Sequence, residues 1–166
     1  KNAETLRILN DKIRDREIDK FYLAAVLGRM NPPEGRLESF LVKDEGKKQV
    51  KVYHRPVPDG KTAITLYKTL QHRGGLSLVE CELRTGRTHQ IRAQFADAGC
   101  PLLGDGKYGR ERDNRRYGRS GQALYSYKLR FSFTTDAGLL SYLNGRTFQV
   151  PEVDFVAEYF GPAQTP

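Results

Sequence analysis

The stretch Glu82-Leu83-Arg84-Thr85-Gly86-Arg87-Thr88-His89-Gln90-Ile91-Arg92, with its sequel Gly99-Cys100-Pro101-Leu102-Leu103-Gly104-Asp105-Gly106-Lys107-Tyr108-Gly109, decides how the rest of the chain is read. An apolar run from Leu76 to Leu83 stops at the Thr85-Gly86 turn. The period then changes. Ile91, Phe95 and Ala98 fall at i, i+4 and i+7, the spacing of one helix face. Gly99 and Pro101 close that helix, because glycine accepts a left-handed end and proline cannot continue it. His89 and Arg92 are three apart and share a face beside the buried one. A helix opening with Arg87, Thr88 and His89 offers free backbone N–H groups to an anion. Periodicity alone equally describes a surface helix with a solvated basic face.

Working outward, Leu76–Leu83 is a strand entered through the Gly74-Gly75 turn. Lys20 to Gly28 reads as a central strand, since Phe21, Leu23, Ala25 and Leu27 point one way while Tyr22, Ala24 and Val26 point the other. Before it, Lys1 to Arg16 reads as a helix capped by Asn2, with Leu6, Leu9 and Ile13 as its apolar face. Residues 37–42 suggest an edge strand, and 49–55 and 63–71 two further strands. Arg110 to Gly121 carries Arg112, Arg115, Arg116 and Arg119 with Tyr117 and no apolar period, which predicts a mobile loop. Such a charge run is either a solvated surface or a grip on phosphate, with Tyr117 free to stack a base. Residues 122–134 alternate as a strand, Asn144-Gly145 marks a hairpin, and Pro151 opens a short helix with Phe155 and Tyr159 one turn apart. The expected fold class is α+β: a large mixed, mostly antiparallel sheet with few flanking helices, over residues 1–166 as a single domain.

Composition narrows the partner. Lys and Arg total 28 against 20 Asp and Glu, a net charge of +8. The pI is near 9.6, so a polyanion is the natural counterpart. A merely soluble basic protein has the same balance. Cys81 and Cys100 match no zinc spacing, and the three histidines are scattered. No stretch approaches the roughly 20 apolar residues of a membrane span, and the polar start does not resemble a signal peptide. The cytoplasm is the expected compartment.

The ordered words Thr85-Gly86-Arg87-Thr88-His89-Gln90-Ile91-Arg92, then Gly99, Pro101-Leu102-Leu103-Gly104-Asp105 and Tyr108-Gly109, closely resemble the signature of the RluA-type pseudouridine synthases. Those enzymes isomerise uridine in ribosomal or transfer RNA. Lys20, Tyr22 and Ala24 resemble the family's Lys-x-Tyr-x-Ala strand, residues 62–67 its next strand, and 123–126 its late strand. The resemblance implies that Tyr22 packs against a flipped base and that Arg92 pairs with a nucleophilic aspartate, making these the catalytic candidates. Arg84 and Arg87 are expected to contact the RNA backbone, His89 and Gln90 to organise the motif or touch phosphate, and Lys107, Arg115 and Arg116 are further RNA-binding candidates; the resemblance implies no cofactor or metal.

The family's nucleophile lies in a His-Arg-Leu-Asp segment, which does not occur in these 166 residues and which the family places ahead of the residues matching Lys1-Asn2-Ala3. The expectation is therefore the C-terminal part of a catalytic domain, inactive by itself. Asp97 and Asp105 are poor substitutes: the first suits a solvated helix position, the second a turn held by side-chain-to-backbone bonds. A non-catalytic RNA-binding remnant of the same fold is the alternative, and a basic structural protein a third.

Overall fold

β1 (Ile18–Leu27) is apolar on both faces because it is covered on both. Phe21, Leu23, Ala25 and Leu27 pack with Leu76, Leu78, Phe155 and Phe160 on one side. Ala24 and Val26 pack with Ile91, Phe95 and Leu102 on the other. The computed structural model, which describes residues 2–161, places β1 between β5 (Leu76–Leu83) and β6 (Leu124–Phe131) in a seven-stranded sheet. With β2 (Glu34–Asp44), β3 (Gln49–Tyr53), β4 (Lys61–Arg73) and β7 (Thr147–Gln149), the order is β3-β2-β4-β5-β1-β6-β7. Every ladder between these strands is antiparallel. The β1–β6 register slips between Phe21 and Tyr22, so that Phe21 faces Lys128 while Tyr22 faces Ser126. A bulge of this kind re-aims the side chains beside it.

Among the described residues four α-helices flank the sheet: α1 (Ala3–Arg14), α2 (Gln90–Asp97), α3 (Glu111–Tyr117) and α4 (Asp154–Phe160). Asn2 caps α1 by accepting the Thr5 N–H at 2.7 Å; Lys1 lies outside the described residues. The expected apolar face of α1 is only partly the buried one. Leu9 packs, half-buried, beside Ile8 on Ala137 and Leu140, while Leu6 and Ile13 are exposed. An ion pair turns the helix that way. Lys12, only 3% exposed, donates to Glu17 and to the Thr135 carbonyl, while Glu17 accepts the Thr134 and Thr135 N–H groups. The hydrogen bond from Lys12 and those from Thr134 pull the Glu17 carboxyl below the usual carboxylate range.

Three other expectations are corrected. Residues 37–42 belong to β2, which lies between β3 and β4 and is not an edge; the edge is β3. The predicted loop at 110–121 holds α3, whose Asn114 accepts the Gly104 N–H and donates to the Asp105 carbonyl. Asn144-Gly145 does not join two strands. β6 and β7 do pair, but through residues 132–146, which include a 3₁₀ turn at Gly138–Leu143. Asn144 there accepts the Phe133 N–H, and the Gly145 N–H donates to the Phe131 carbonyl.

α2 is fastened to the sheet by Phe95, fully buried and edge-on to Tyr67 with centroids 5.8 Å apart. Phe95→Ala is expected to cost about 3–5 kcal/mol in urea unfolding. A loss below about 1 kcal/mol would mean that this ring does not anchor the helix.

Candidate active site

The turn after β5 is shaped from below by one amide. Gln90, at the first position of α2 and 3% exposed, accepts the Thr85 hydroxyl at 2.7 Å and the Arg87 N–H at 3.0 Å. Its Nε2 donates to the Ile64 carbonyl and to Thr65 Oγ1. Thr85 in turn accepts the Ile64 N–H. Gln94, one turn on and equally buried, donates to Ser39 and the Ala63 carbonyl. These two glutamines tie α2 to β4 and β2 with their polar capacity used inside the protein, as buried amides must. Of the two roles the sequence left open for Gln90, organising the turn is the one its burial supports; the direct RNA contact is corrected, because the amide is spent inside the protein.

Arg92 and Asp105 form the second feature. Arg92 Nε donates to Asp105 Oδ2 at 2.7 Å, and Nη2 to Oδ1 at 2.9 Å. Asp105 is completely buried and also accepts the Lys107 and Tyr108 N–H groups. Burial alone would raise its pKa; the Arg92 fork and these two N–H groups outweigh it and hold the carboxyl below its ordinary value. The hydrogen bond to Asp105 likewise raises the pKa of Arg92. The guanidinium lies over the Tyr108 ring, 5.2 Å from its centroid. Asp105 is thus the turn residue expected, and in addition the partner of Arg92.

Tyr108 continues the chain of contacts. Its hydroxyl accepts the Val50 N–H and lies 2.9 Å from His89 Nδ1. We assign His89 the neutral Nε2–H tautomer, with the Tyr108 hydroxyl donating to Nδ1. Burial, then the nearby charges of Arg92 and Lys107, push the His89 pKa below its ordinary value. His89 also carries the left-handed backbone, φ 54°, that turns the chain into α2.

An open cavity of about 540 Å³ lies between the end of α1, the start of β1 and the turn after β5. Tyr22 lines it with Arg84, Thr85, Gly86 and Arg87 on one wall and Arg14, Arg16 and Lys20 on another. Arg92 is on the same side of the sheet, on the helix whose Ile91 and Phe95 join the cluster that Tyr22 borders, but it is not among the residues lining this cavity. Among the described residues, no group of three or more His, Cys, Asp or Glu converges to hold a metal ion.

The profile of the family described as RNA pseudouridylate synthase matches residues 1–97. Ribosomal large subunit pseudouridine synthase D of Borreliella burgdorferi is 36% identical over 129 residues, which cover 78% of this chain and 38% of that protein. The chain belongs to the RluA-type pseudouridine synthase family. An RNA pseudouridine synthase of Bacillus subtilis, YlyB, is 34% identical over 79% of the chain and 41% of its own length. The chain thus spans about two fifths of the length of these relatives. The fold agrees. Human RNA pseudouridylate synthase domain containing 1 superposes with a TM-score of 0.69 over 95% of this chain and 71% of that one, at 20% identity.

Within this synthase fold the candidate residues separate into groups. Tyr22, Arg84 and Arg87 share the cavity. Arg92, His89 and Lys107 gather around Asp105 and Tyr108. Arg115 and Arg116 stand exposed on α3, where Arg115 pairs with Glu111. Two companions expected to be free on that segment are committed: Tyr117 donates to the Gly74 carbonyl, and Arg119 reaches Asp154 and Glu158. Arg14, Arg16 and Lys20 were not singled out from sequence, although a basic helix end leading into the Tyr22 strand is a readable signal.

Imidazole nitrogen NMR tests the tautomer assignment. His89 should titrate below the ordinary histidine value of 6.5 and show protonated Nε2 with bare Nδ1. Titration above that value, or a protonated Nδ1 in the neutral ring, would contradict the assignment. Because the folded pKa is the lower one, His89 destabilises the fold as pH falls below 6.5 and contributes nothing above it.

Proposed function

We propose that this chain is the C-terminal part of the catalytic domain of a cytoplasmic pseudouridine synthase that isomerises uridine in ribosomal or transfer RNA. The observation that carries this reading is the cavity beside Tyr22, ringed by cations, in a chain of this family. In the reaction the C1′–N1 glycosidic bond breaks, the base turns, a C1′–C5 bond forms, and the C5 proton leaves as N1 gains one. The base must be extruded from its stack to be reached, which calls for an aromatic wall and a basic rim. Tyr22 is the wall. Arg84 and Arg87 hold backbone phosphate at the rim, with Arg14, Arg16 and Lys20 opposite.

The nucleophilic aspartate comes, in this proposal, from residues outside these 166, and Arg92 receives it. Nε and one Nη2 hydrogen of Arg92 are engaged by Asp105, which leaves the Nη1 edge for a second carboxylate. A guanidinium fixed beforehand keeps that acid ionised and aimed without further reorganisation. His89 offers Nε2–H as a neutral donor rather than a proton carrier. Asp97 is engaged elsewhere, 2.8 Å from His54 Nε2. Residues 1–166 act as one unit in this reading.

Tritium release from RNA labelled at uridine C5 tests the proposal. The 166-residue chain should release none, and a protein extended upstream through an aspartate should release it. Silence from the extended protein would favour the RNA-binding remnant. In that protein Arg92→Ala should lower turnover at least about a hundredfold, about 2.7 kcal/mol, with RNA affinity within a few-fold. A near-normal rate would remove Arg92 from the chemistry.

A further inference from the structure

We propose that a second track for the RNA backbone runs from the cavity beside Tyr22, past the 85–89 turn, to the β2–β3 hairpin. There Lys43, Lys48 and Lys61 hold phosphates flanking the modified nucleotide. The inference rests on the RNA reading above and extends it to a surface that the sequence motifs do not mark.

The track is continuous. The cavity beside Tyr22 shares Gly86 and Arg87 with a second cavity of about 300 Å³, walled by β2 and by Lys61 at the start of β4. That one shares Lys43, Val50 and Thr88 with a third of about 280 Å³, which ends at Lys48, His89 and Lys107. Along this path Arg87, Lys61, Lys43, Lys48 and Lys107 are all exposed, and none belongs to an ion pair among the described residues. Asp44, Glu45 and Asp59 also border it, but Asp44 is drawn away by the Lys47 N–H at 3.2 Å and by Lys51 at 3.9 Å.

The far end is built rather than incidental. Lys107 Nζ donates to the Lys48 carbonyl at 2.7 Å, and the Val50 N–H donates to the Tyr108 hydroxyl. The hairpin is therefore stitched to the turn that Asp105 organises. His89, with Nδ1 occupied by Tyr108, has its Nε2–H left for an acceptor in the third cavity.

The chemistry selects phosphate over bases. Leu41, Val42 and Val50 supply the apolar part of the lining, and no Phe, Tyr or Trp lines either outer cavity. A base needs an aromatic platform. Spaced lysines suit backbone phosphates, so the track contributes affinity and register without reading sequence.

The test uses fluorescence anisotropy of labelled single-stranded RNA with the 166-residue chain across a salt series. Oligomers of about four and about twelve nucleotides separate the cavity from the track. In the triple variant Lys43→Gln, Lys48→Gln, Lys61→Gln, the salt slope for the longer RNA should fall by about two, at roughly 0.7 for each lost contact. Binding of the shorter RNA should not change. Circular dichroism melting confirms that the variant is folded. Equal weakening for both lengths would make the effect general charge and overturn the track. No change in the triple variant, with both RNAs weakened by Arg84→Gln, Arg87→Gln, would overturn the track and leave the RNA reading standing. No change in either variant would bring down both.

Discussion

A single buried carboxylate sets the arrangement of the whole region. Asp105 has no access to solvent, so its charge must be met inside the protein, and it is met by the Arg92 fork and two backbone N–H groups. That demand fixes the guanidinium on α2 and curls the chain at 105–108. It also places the Tyr108 ring under Arg92 and its hydroxyl between Val50 and His89. Asn114 grips the Asp105 carbonyl and so holds α3 in the same assembly. α3 owes its position to such polar contacts more than to an apolar face. α3 has no buried residue at all.

The sheet was largely legible because its strands alternate. β1 announced its central place by being apolar on both faces, and β5 matched its apolar run residue for residue. What escaped was held by interactions that leave no period. α3 forms through Asn114, Tyr117 and Glu111–Arg115, none of which is an apolar repeat. α1 buries Ile8 and Lys12 in place of Leu6 and Ile13, because a lysine paired with Glu17 is invisible to a hydrophobicity count. Asn144-Gly145 has hairpin chemistry, but its side-chain and backbone bonds return to Phe131 and Phe133 across a longer link.

The site shows the same division. Motif wording pointed to Tyr22, Arg84, Arg87 and Arg92, and the first three do meet at one cavity. It does not distinguish a residue facing the groove from one beneath it, so it leaves Gln90 between an RNA contact and the frame of the turn, and burial decides for the frame. Nor could it foresee that Arg92 arrives already committed on one edge. That commitment fits the role proposed for Arg92, receiving an acid in a set orientation, because the geometry is settled beforehand.

Asp105 and Arg92 act as one unit. A double-mutant cycle on the free energy of unfolding, built from Arg92→Ala, Asp105→Ala and the pair, measures their coupling. Coupling of about 1.5–3 kcal/mol, the range of hydrogen bonds to charged groups, is the predicted result. Additive losses, with coupling under about 0.5 kcal/mol, would contradict it.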